Sequence, residues 1–245
     1  MEGLRKEYLG SGITAFVSNE HTFGTDAVLL ADFANPTSKS KCCDLGSGCG
    51  IIPLLWCKKK TAEITAVEIQ EKGYNQIKEA IAFNNLENRI TPINSDLKEL
   101  KGKVNFGYYN IVTMNPPYTA EGSGIISSSG ADKIARHGTM CTFGDICFTA
   151  SKLLNFGGKL CMCIRPERLF ELAKEMQNNS IEPKRIRFVS KTDGKTPWLV
   201  LVEGKRGGKS GLTVDPELHI YAQSGEYSEE MKNIYKDYLL ENRGE

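Results

Sequence analysis

From residue 40 onward the chain alternates between two periodicities. Short runs rich in β-branched and apolar residues read as strands at "SKCCDLGSGCG" (entering a turn), "AEITAVEIQ" (62–70), "RITPINSDL" (89–97), "YYNIVTMN" (108–115), "KLCMCIRPE" (159–167), "KRIRFVS" (184–190) and "PWLVLVEGKRG" (197–207). Between them lie stretches with helical spacing. These are "IIPLLWCKKK" (51–60, starting near Cys49), "EKGYNQIKEAIAFNNL" (71–86), "FGDICFTASKLLNFGG" (143–158, stopped by its glycines) and "RLFELAKEMQNN" (168–179). Alternation of this kind predicts an α/β fold, a mostly parallel seven-stranded sheet with helices on both faces. The last two strands have no helix between them, so one strand is expected to run antiparallel. Two segments fall outside the pattern. Residues 1–39 contain "HTFGTDAVLLADFA" (21–34), a helix that Thr25 or Asp26 can cap and that buries Ala27, Val28, Leu30, Ala31 and Ala34. Residues 208–245 end in a helix, "YSEEMKNIYKDYLLENR" (227–243). The expected organisation is one domain, with an N-terminal extension (1–39), a core (40–207) and a helical tail (208–245).

Composition adds bounds. The chain has 245 residues, 40% apolar and 25% charged, enough to bury a sizeable core, with a net charge of +1. The charge is uneven. Residues 181–210 hold eight Lys/Arg against three Asp/Glu, and residues 211–245 hold three against eight. The basic segment fits either a solvated surface or a phosphate track. The N-terminal "MEGLRKEYLG" has no apolar signal region and no stretch is long enough to cross a bilayer, which points to the cytosol. Eight cysteines there read as structural thiols. No C-x-x-C pair occurs, the histidines stand apart at 21, 137 and 219, and Cys161 and Cys163 alternate along one strand face, so no metal site is expected.

The strand ends carry the chemistry. "DLGSGCG", Asp44 to Gly50, is a glycine-rich turn between strand and helix. It lets a ligand approach backbone amides at a helix N-terminus, as in many nucleotide enzymes. Glu68 ends the next strand, where a carboxylate can grip a ribose diol or simply face solvent. Asp96 ends the third, where it serves equally as a helix cap. The fourth strand stops at "NPPY", Asn115 to Tyr118, because prolines cannot donate to a sheet ladder. An asparagine-proline turn alone is common. In this order along successive strand ends, the four features converge on one ligand edge.

Taken together, "DLGSGCG", the acidic end of the second strand, Asp96 and "NPPY" resemble the class I S-adenosylmethionine-dependent methyltransferases, which have a Rossmann-like fold. Asparagine-Pro-Pro-aromatic marks members that methylate a planar nitrogen. The resemblance implies S-adenosylmethionine as cofactor. It would be bound by Asp44, Leu45, Gly46, Ser47, Gly48, Gly50, Glu68, Ile69, Asp96, Leu97 and Asn115, with Thr25 and Asp26 beneath it. It also implies how the substrate is held. The Asn115 side-chain oxygen and the Pro116 carbonyl accept N–H from an exocyclic amine, Pro116 and Pro117 fix the geometry, and Tyr118 stacks on the base.

This motif serves adenine-N6, cytosine-N4 and glutamine-N5 methylation alike. Three flanks, "HTFGTDAVLLADFA", "RPERL" (165–169) and "YSEEMKNIY" (227–235), resemble the tRNA1(Val) adenine-N6 methyltransferase family. That likeness implies methylation of the adenine 3′ to the anticodon of a valine tRNA. A protein glutamine, an rRNA base and a non-catalytic RNA-binding role remain open alternatives. Substrate-binding candidates are Tyr118, Arg136, His137, Lys184, Arg185 and Arg187, with Lys191 and Lys195 extending the basic run as a tRNA backbone track. Related chains carry a glutamate where this one has Gly138, so no carboxylate role is expected there. Nothing in the sequence fixes the oligomeric state.

Overall fold

The structure, a computed structural model, describes residues 4–58, 63–117, 141–236 and 238. A hairpin of β1 (Arg5–Gly10) and β2 (Ile13–Val17) precedes α1 (Thr25–Ala34). The core follows as β3 (Lys41–Leu45), α2 (Ile51–Lys58), β4 (Glu63–Glu68), α3 (Glu71–Phe83), β5 (Ile90–Asn94) and β6 (Tyr109–Met114). It continues with α4 (Phe143–Leu153), β7 (Leu154–Ile164), α5 (Leu169–Asn178), β8 (Ile181–Ser190) and β9 (Leu199–Arg206). Two short strands, β10 (Thr213–Val214) and β11 (Leu218–His219), lead to α6 (Glu229–Tyr235).

The sheet order is β10-β8-β9-β7-β6-β3-β4-β5, with β11 also on β8. Within this sheet only β9 runs antiparallel to its neighbours β7 and β8. The expected parallel sheet with one reversed strand is what the chain forms, and β10 and β11 extend it at the β8 edge.

Alternation along the strands builds two cores. Cys42 on β3 and Cys161 and Cys163 on β7 face α1, α2 and α3. Cys43, Leu160, Met162 and Ile164 face α4 and α5. Burial holds the thiols protonated: Cys42, Cys49 and Cys147 are pushed up to about 12 and Cys57 to about 11. Among the described residues no group of three His, Cys, Asp or Glu could hold a metal, and no helix is long and apolar enough to cross a membrane.

Helix α1 is buried on more than one side. Leu29 and Phe33 are covered along with Ala27, Val28, Leu30, Ala31 and Ala34, because α2 and α6 close over the outer face. Each large apolar side chain so buried contributes about 1.5–3 kcal/mol. The Trp56 indole donates to the Ala31 carbonyl at 3.0 Å and locks α2 to α1.

Four details differ from the sequence reading, the first being that the tail helix expected over 227–243 spans Glu229–Tyr235 and ends at Lys236, φ 43°, while 237 and 239–243 lie outside the described residues. The N-terminal extension contributes the β1–β2 hairpin as well as a helix. The helix expected to reach residue 158 stops at Leu153, and Gly157 and Gly158 lie inside β7. They serve an irregularity in the pairing with β6: Gly157 has φ 81°, and a Cβ at Gly158 would lie 2.9 Å from the Tyr109 carbonyl oxygen. Finally, the cap of α1 is Gly24, with no side-chain bond to the helix amides. Thr25 and Asp26, expected as caps, are used elsewhere.

Candidate active site

Because β3 to β7 are parallel neighbours, their carboxyl ends meet along one edge, where open sheets of this kind bind ligands. At the end of β3 the chain turns through Gly46, Ser47, Gly48 and Gly50. The three glycines have φ of 64°, 56° and 83°, a region closed to most side chains. A Cβ at Gly48 would meet nothing within 4 Å, so the loop's outer side is open to a ligand. Leu45 is buried beneath it.

Two carboxylates hold the loop. Asp44, 1% exposed, accepts a hydrogen bond from the Thr113 hydroxyl at 2.6 Å, and the Ser47 hydroxyl donates to the Asp44 carbonyl at 3.0 Å. Burial pushes the Asp44 carboxyl up to about 7. The Thr113 and Ser47 hydroxyls pull against that shift, and the negative Glu68 adds to it. Glu68, 4% exposed, spans the loop: one oxygen accepts from the Gly48 amide at 2.7 Å, the other from the Gln70 amide at 2.8 Å.

Helix α3 then packs against the loop at Gly73. A Cβ there would lie 2.8 Å from the Gly48 carbonyl oxygen and 3.1 Å from the Glu68 Cγ. Gly73 is a site residue that the sequence reading passed over. Its signal was present, since a glycine in a helix's first turn costs about 1 kcal/mol against alanine and calls for a packing reason.

Further along the edge, Ile69 is 39% exposed beside Glu68. Asp96 caps a short 3-10 turn, accepting from the Lys98 amide at 2.9 Å, and Leu97 is buried behind it. Asp96 is therefore a cap, the bland half of its sequence reading, and it also stands at the ligand edge.

Strand β6 lies between β3 and β7, and its last residue, Met114, pairs with Leu45 and Met162. That register sets Asn115 beside Cys163. The Cys163 thiol donates to Asn115 Oδ1 at 3.0 Å, and Asn115 Nδ2 donates to an Asp26 carboxylate oxygen at 3.0 Å. Pro116 is buried and Pro117 exposed. Cys163 was read from sequence only as a core thiol, and nothing local to it marks this contact. Beside Asp26, the Thr25 hydroxyl bonds the Tyr235 hydroxyl at 3.1 Å and ties α1 to α6. From Tyr235, ring contacts run to Tyr227 and then to Tyr221, 5.4 and 5.3 Å between centroids. Tyr118, Arg136 and His137 lie outside the described residues.

The basic candidates separate into two sets. Arg185 is ion-paired to Glu203 at 2.9 Å and Asp215 at 3.1 Å, donates to the Phe33 carbonyl and stacks on the Phe33 ring. Arg187 grips Glu230 through both terminal nitrogens and donates to the Pro216 carbonyl. Lys184 donates to the carbonyls of Lys209 and Gly211. Two ion pairs, Arg185–Asp215 and Arg187–Glu230, thus tie the basic segment to the acidic tail. Lys191 and Lys195 are exposed in the β8–β9 hairpin, at the same edge as Asn115, and their ammonium groups have no partner among the described residues.

A loop backed by the carboxylates of Asp44 and Glu68 suits a cationic donor. Open glycine turn, acidic strand ends and parallel topology are together those of a class I methyltransferase using S-adenosylmethionine. Residues 12–176 match the methyltransferase small domain family, and the chain belongs to it. A tRNA1(Val) (adenine(37)-N6)-methyltransferase of Parabacteroides distasonis is 29% identical over 225 residues, covering 89% of this chain and 90% of that one. The protein of the same name from Shewanella sp. (strain W3-18-1) is 26% identical over 228 residues, 88% and 91% of the two chains. Among solved structures, a predicted O-methyltransferase from Agrobacterium tumefaciens superposes with a TM-score of 0.69 over 87% of this chain and 97% of its own. At 20% identity that likeness concerns the fold.

Proposed function

We propose that the protein methylates the exocyclic N6 of adenine in tRNA, at the adenine 3′ to the anticodon of tRNA1(Val). One observation carries the reading: a side-chain amide fixed at the end of β6, beside the glycine loop, with its oxygen and nitrogen ends distinguished by their partners. The names of the relatives supply the nucleic acid and the position.

When bound, S-adenosylmethionine supplies an electrophilic methyl on a sulfonium. Gly46, Gly48 and Gly50 would admit it to the loop, with Leu45 and Ser47 behind. The Glu68 oxygens have lone pairs left for the ribose hydroxyls after accepting two amides. Ile69 and Leu97 would offer apolar faces to the donor's adenine, and Asp96 an acceptor for its amine.

The target amine is a weak nucleophile, because its lone pair is delocalised into the ring. Asn115 Oδ1 and the Pro116 carbonyl each accept one of its N–H groups and turn that lone pair toward the methyl. Tyr118 gives the extruded base a face to stack on. The cofactor would supply the methyl and leave as a neutral thioether, and the nitrogen held by Asn115 and Pro116 would give up one proton to water. Such alignment accounts for most of the rate without a metal. The RNA backbone follows Lys191 and Lys195, whose charges are unspent, in preference to Lys184, Arg185 and Arg187.

The test offers labelled S-adenosylmethionine with tRNA lacking the modification, with rRNA, and with a glutamine-containing peptide. Label in tRNA adenine supports the reading. Label in the peptide or in rRNA alone moves the protein to another substrate class.

A further inference from the structure

We propose that Asp26 is a positioning residue of the reaction: its carboxylate fixes the rotation of the Asn115 amide, so that Oδ1 and not Nδ2 is the end presented to the target amine. The proposal rests on the reading of Asn115 as the acceptor for that amine. It departs from the cofactor contact expected for Asp26 from the sequence.

The argument is one of donors and acceptors. A carboxylate only accepts, so the Asn115 atom 3.0 Å from Asp26 must be the NH₂ end. The other end, the oxygen, then lies 3.0 Å from Cys163, whose S–H donates to it. Turning the amide over would set oxygen against carboxylate, a lost bond and a repulsion. An amide carbonyl oxygen has a second lone pair, which can accept from substrate. Cys163 pins the oxygen weakly, as a thiol is a poor donor, so the ionised partner sets the preference.

The backbone is built to keep Asp26 there. Gly24 is the cap of α1, and a Cβ on it would lie 2.6 Å from Asp26 Oδ1. Any side chain at position 24 therefore displaces the carboxylate without touching its charge. Helix α1 itself is held by Thr25 on Tyr235 and by Trp56 on Ala31, so its first turn is a rigid mount.

The experiment is a charge-swap cycle on the full chain. Asp26→Asn leaves an amide against an amide, which tolerates either orientation of Asn115. Turnover on tRNA is expected to fall about tenfold or more, with KM for tRNA and the dissociation constant of S-adenosylhomocysteine within about twofold of wild type. Asn115→Asp alone sets two carboxylates together and should be inactive at neutral pH. The double variant Asp26→Asn with Asn115→Asp restores the hydrogen bond with its polarity reversed and leaves a carboxylate oxygen facing substrate. It should exceed both single variants.

A readout independent of turnover is the side-chain ¹⁵N–¹H₂ resonance pair of Asn115. It should shift in Asp26→Asn and in Gly24→Ala while the spectrum elsewhere keeps its dispersion. Weakened S-adenosylhomocysteine binding as the whole effect of Asp26→Asn would make Asp26 a cofactor ligand and overturn the proposal. So would an unmoved Asn115 resonance, or a double variant no better than the worse single one. Wild-type protein inactive on tRNA would sink the substrate reading, while the resonance measurement would still decide the role of Asp26.

Discussion

The two halves of the ligand edge are assembled differently. On the proposed cofactor side, Asp44, Gly48, Glu68, Gly73 and Asp96 fall within one 53-residue stretch at the ends of β3, β4 and β5 and the start of α3; Glu68 reaches Gly48 across 20 residues, and Asp44 reaches further, to Thr113 69 residues on. On the proposed substrate side, Asn115 is held by Asp26 from 89 residues away and Thr25 by Tyr235 from 210 residues away. The first half is largely local motif chemistry, and its glycine loop and acidic strand ends, though not Gly73, were legible in the sequence. The second is made where the N-terminal extension and the C-terminal tail fold back onto the sheet, and no periodicity reports which pairs will meet.

The sharpest way to break this division is Asn115→Ala. Turnover is expected to fall by about 10²–10³, as when a donor or acceptor aligned with the transition state is removed, with S-adenosylhomocysteine affinity unchanged by calorimetry. Loss of cofactor binding instead would merge the two halves. The converse variant is Gly73→Ala, which presses on the Gly48 carbonyl and the Glu68 side chain. It should weaken cofactor binding about tenfold, roughly 1.4 kcal/mol, while leaving tRNA affinity alone. Calorimetry beside a tRNA filter-binding assay decides it.

The same comparison explains where the structure departs from the sequence pattern. Of residues 181–210, which fit either a solvated surface or an RNA track, Arg185 and Arg187 find partners in the next segment, Asp215 and Glu230. Gly157 and Gly158 looked like a helix stop, but they allow a bulge against β6, a tertiary demand. The hairpin β1–β2 carried too short a pattern to register. By contrast the seven core strands, the reversed β9, and the loop at Asp44–Gly50 followed from periodicity and turn chemistry alone.

Two charge variants sharpen the substrate side. Lys191→Glu with Lys195→Glu should lower the salt slope of tRNA binding by about one unit per lysine lost. Lys184→Glu with Arg187→Glu should instead lower the melting temperature by several degrees, by setting a carboxylate against Glu230, at about 2–4 °C per kcal/mol. Equal salt slopes for the two pairs would return the track to residues 184–187.

A smaller effect separates the halves by pH. The Asp44 carboxyl keeps its proton up to about 7 in the folded chain, whereas the unfolded chain ionises near 3.8. Between those values the folded state binds the extra proton, so this group's contribution to stability falls as pH rises. A cationic donor bound nearby favours the ionised form, so binding releases a proton. Affinity for S-adenosylmethionine should therefore rise severalfold from pH 6 to 8 and level off above about 7. Asp44→Asn should abolish that trend, and a trend that persisted would assign it to another group.

The most direct test of the whole account is nucleoside mass spectrometry of an unmodified tRNA1(Val) transcript after reaction with S-adenosylmethionine and the purified protein. The expected result is N6-methyladenosine, mapped by nuclease fragments to the adenine 3′ to the anticodon, and absent with Asn115→Ala that still binds cofactor. Methylation of a different nucleoside, or full N6-methyladenosine from the Asn115→Ala protein, would contradict it.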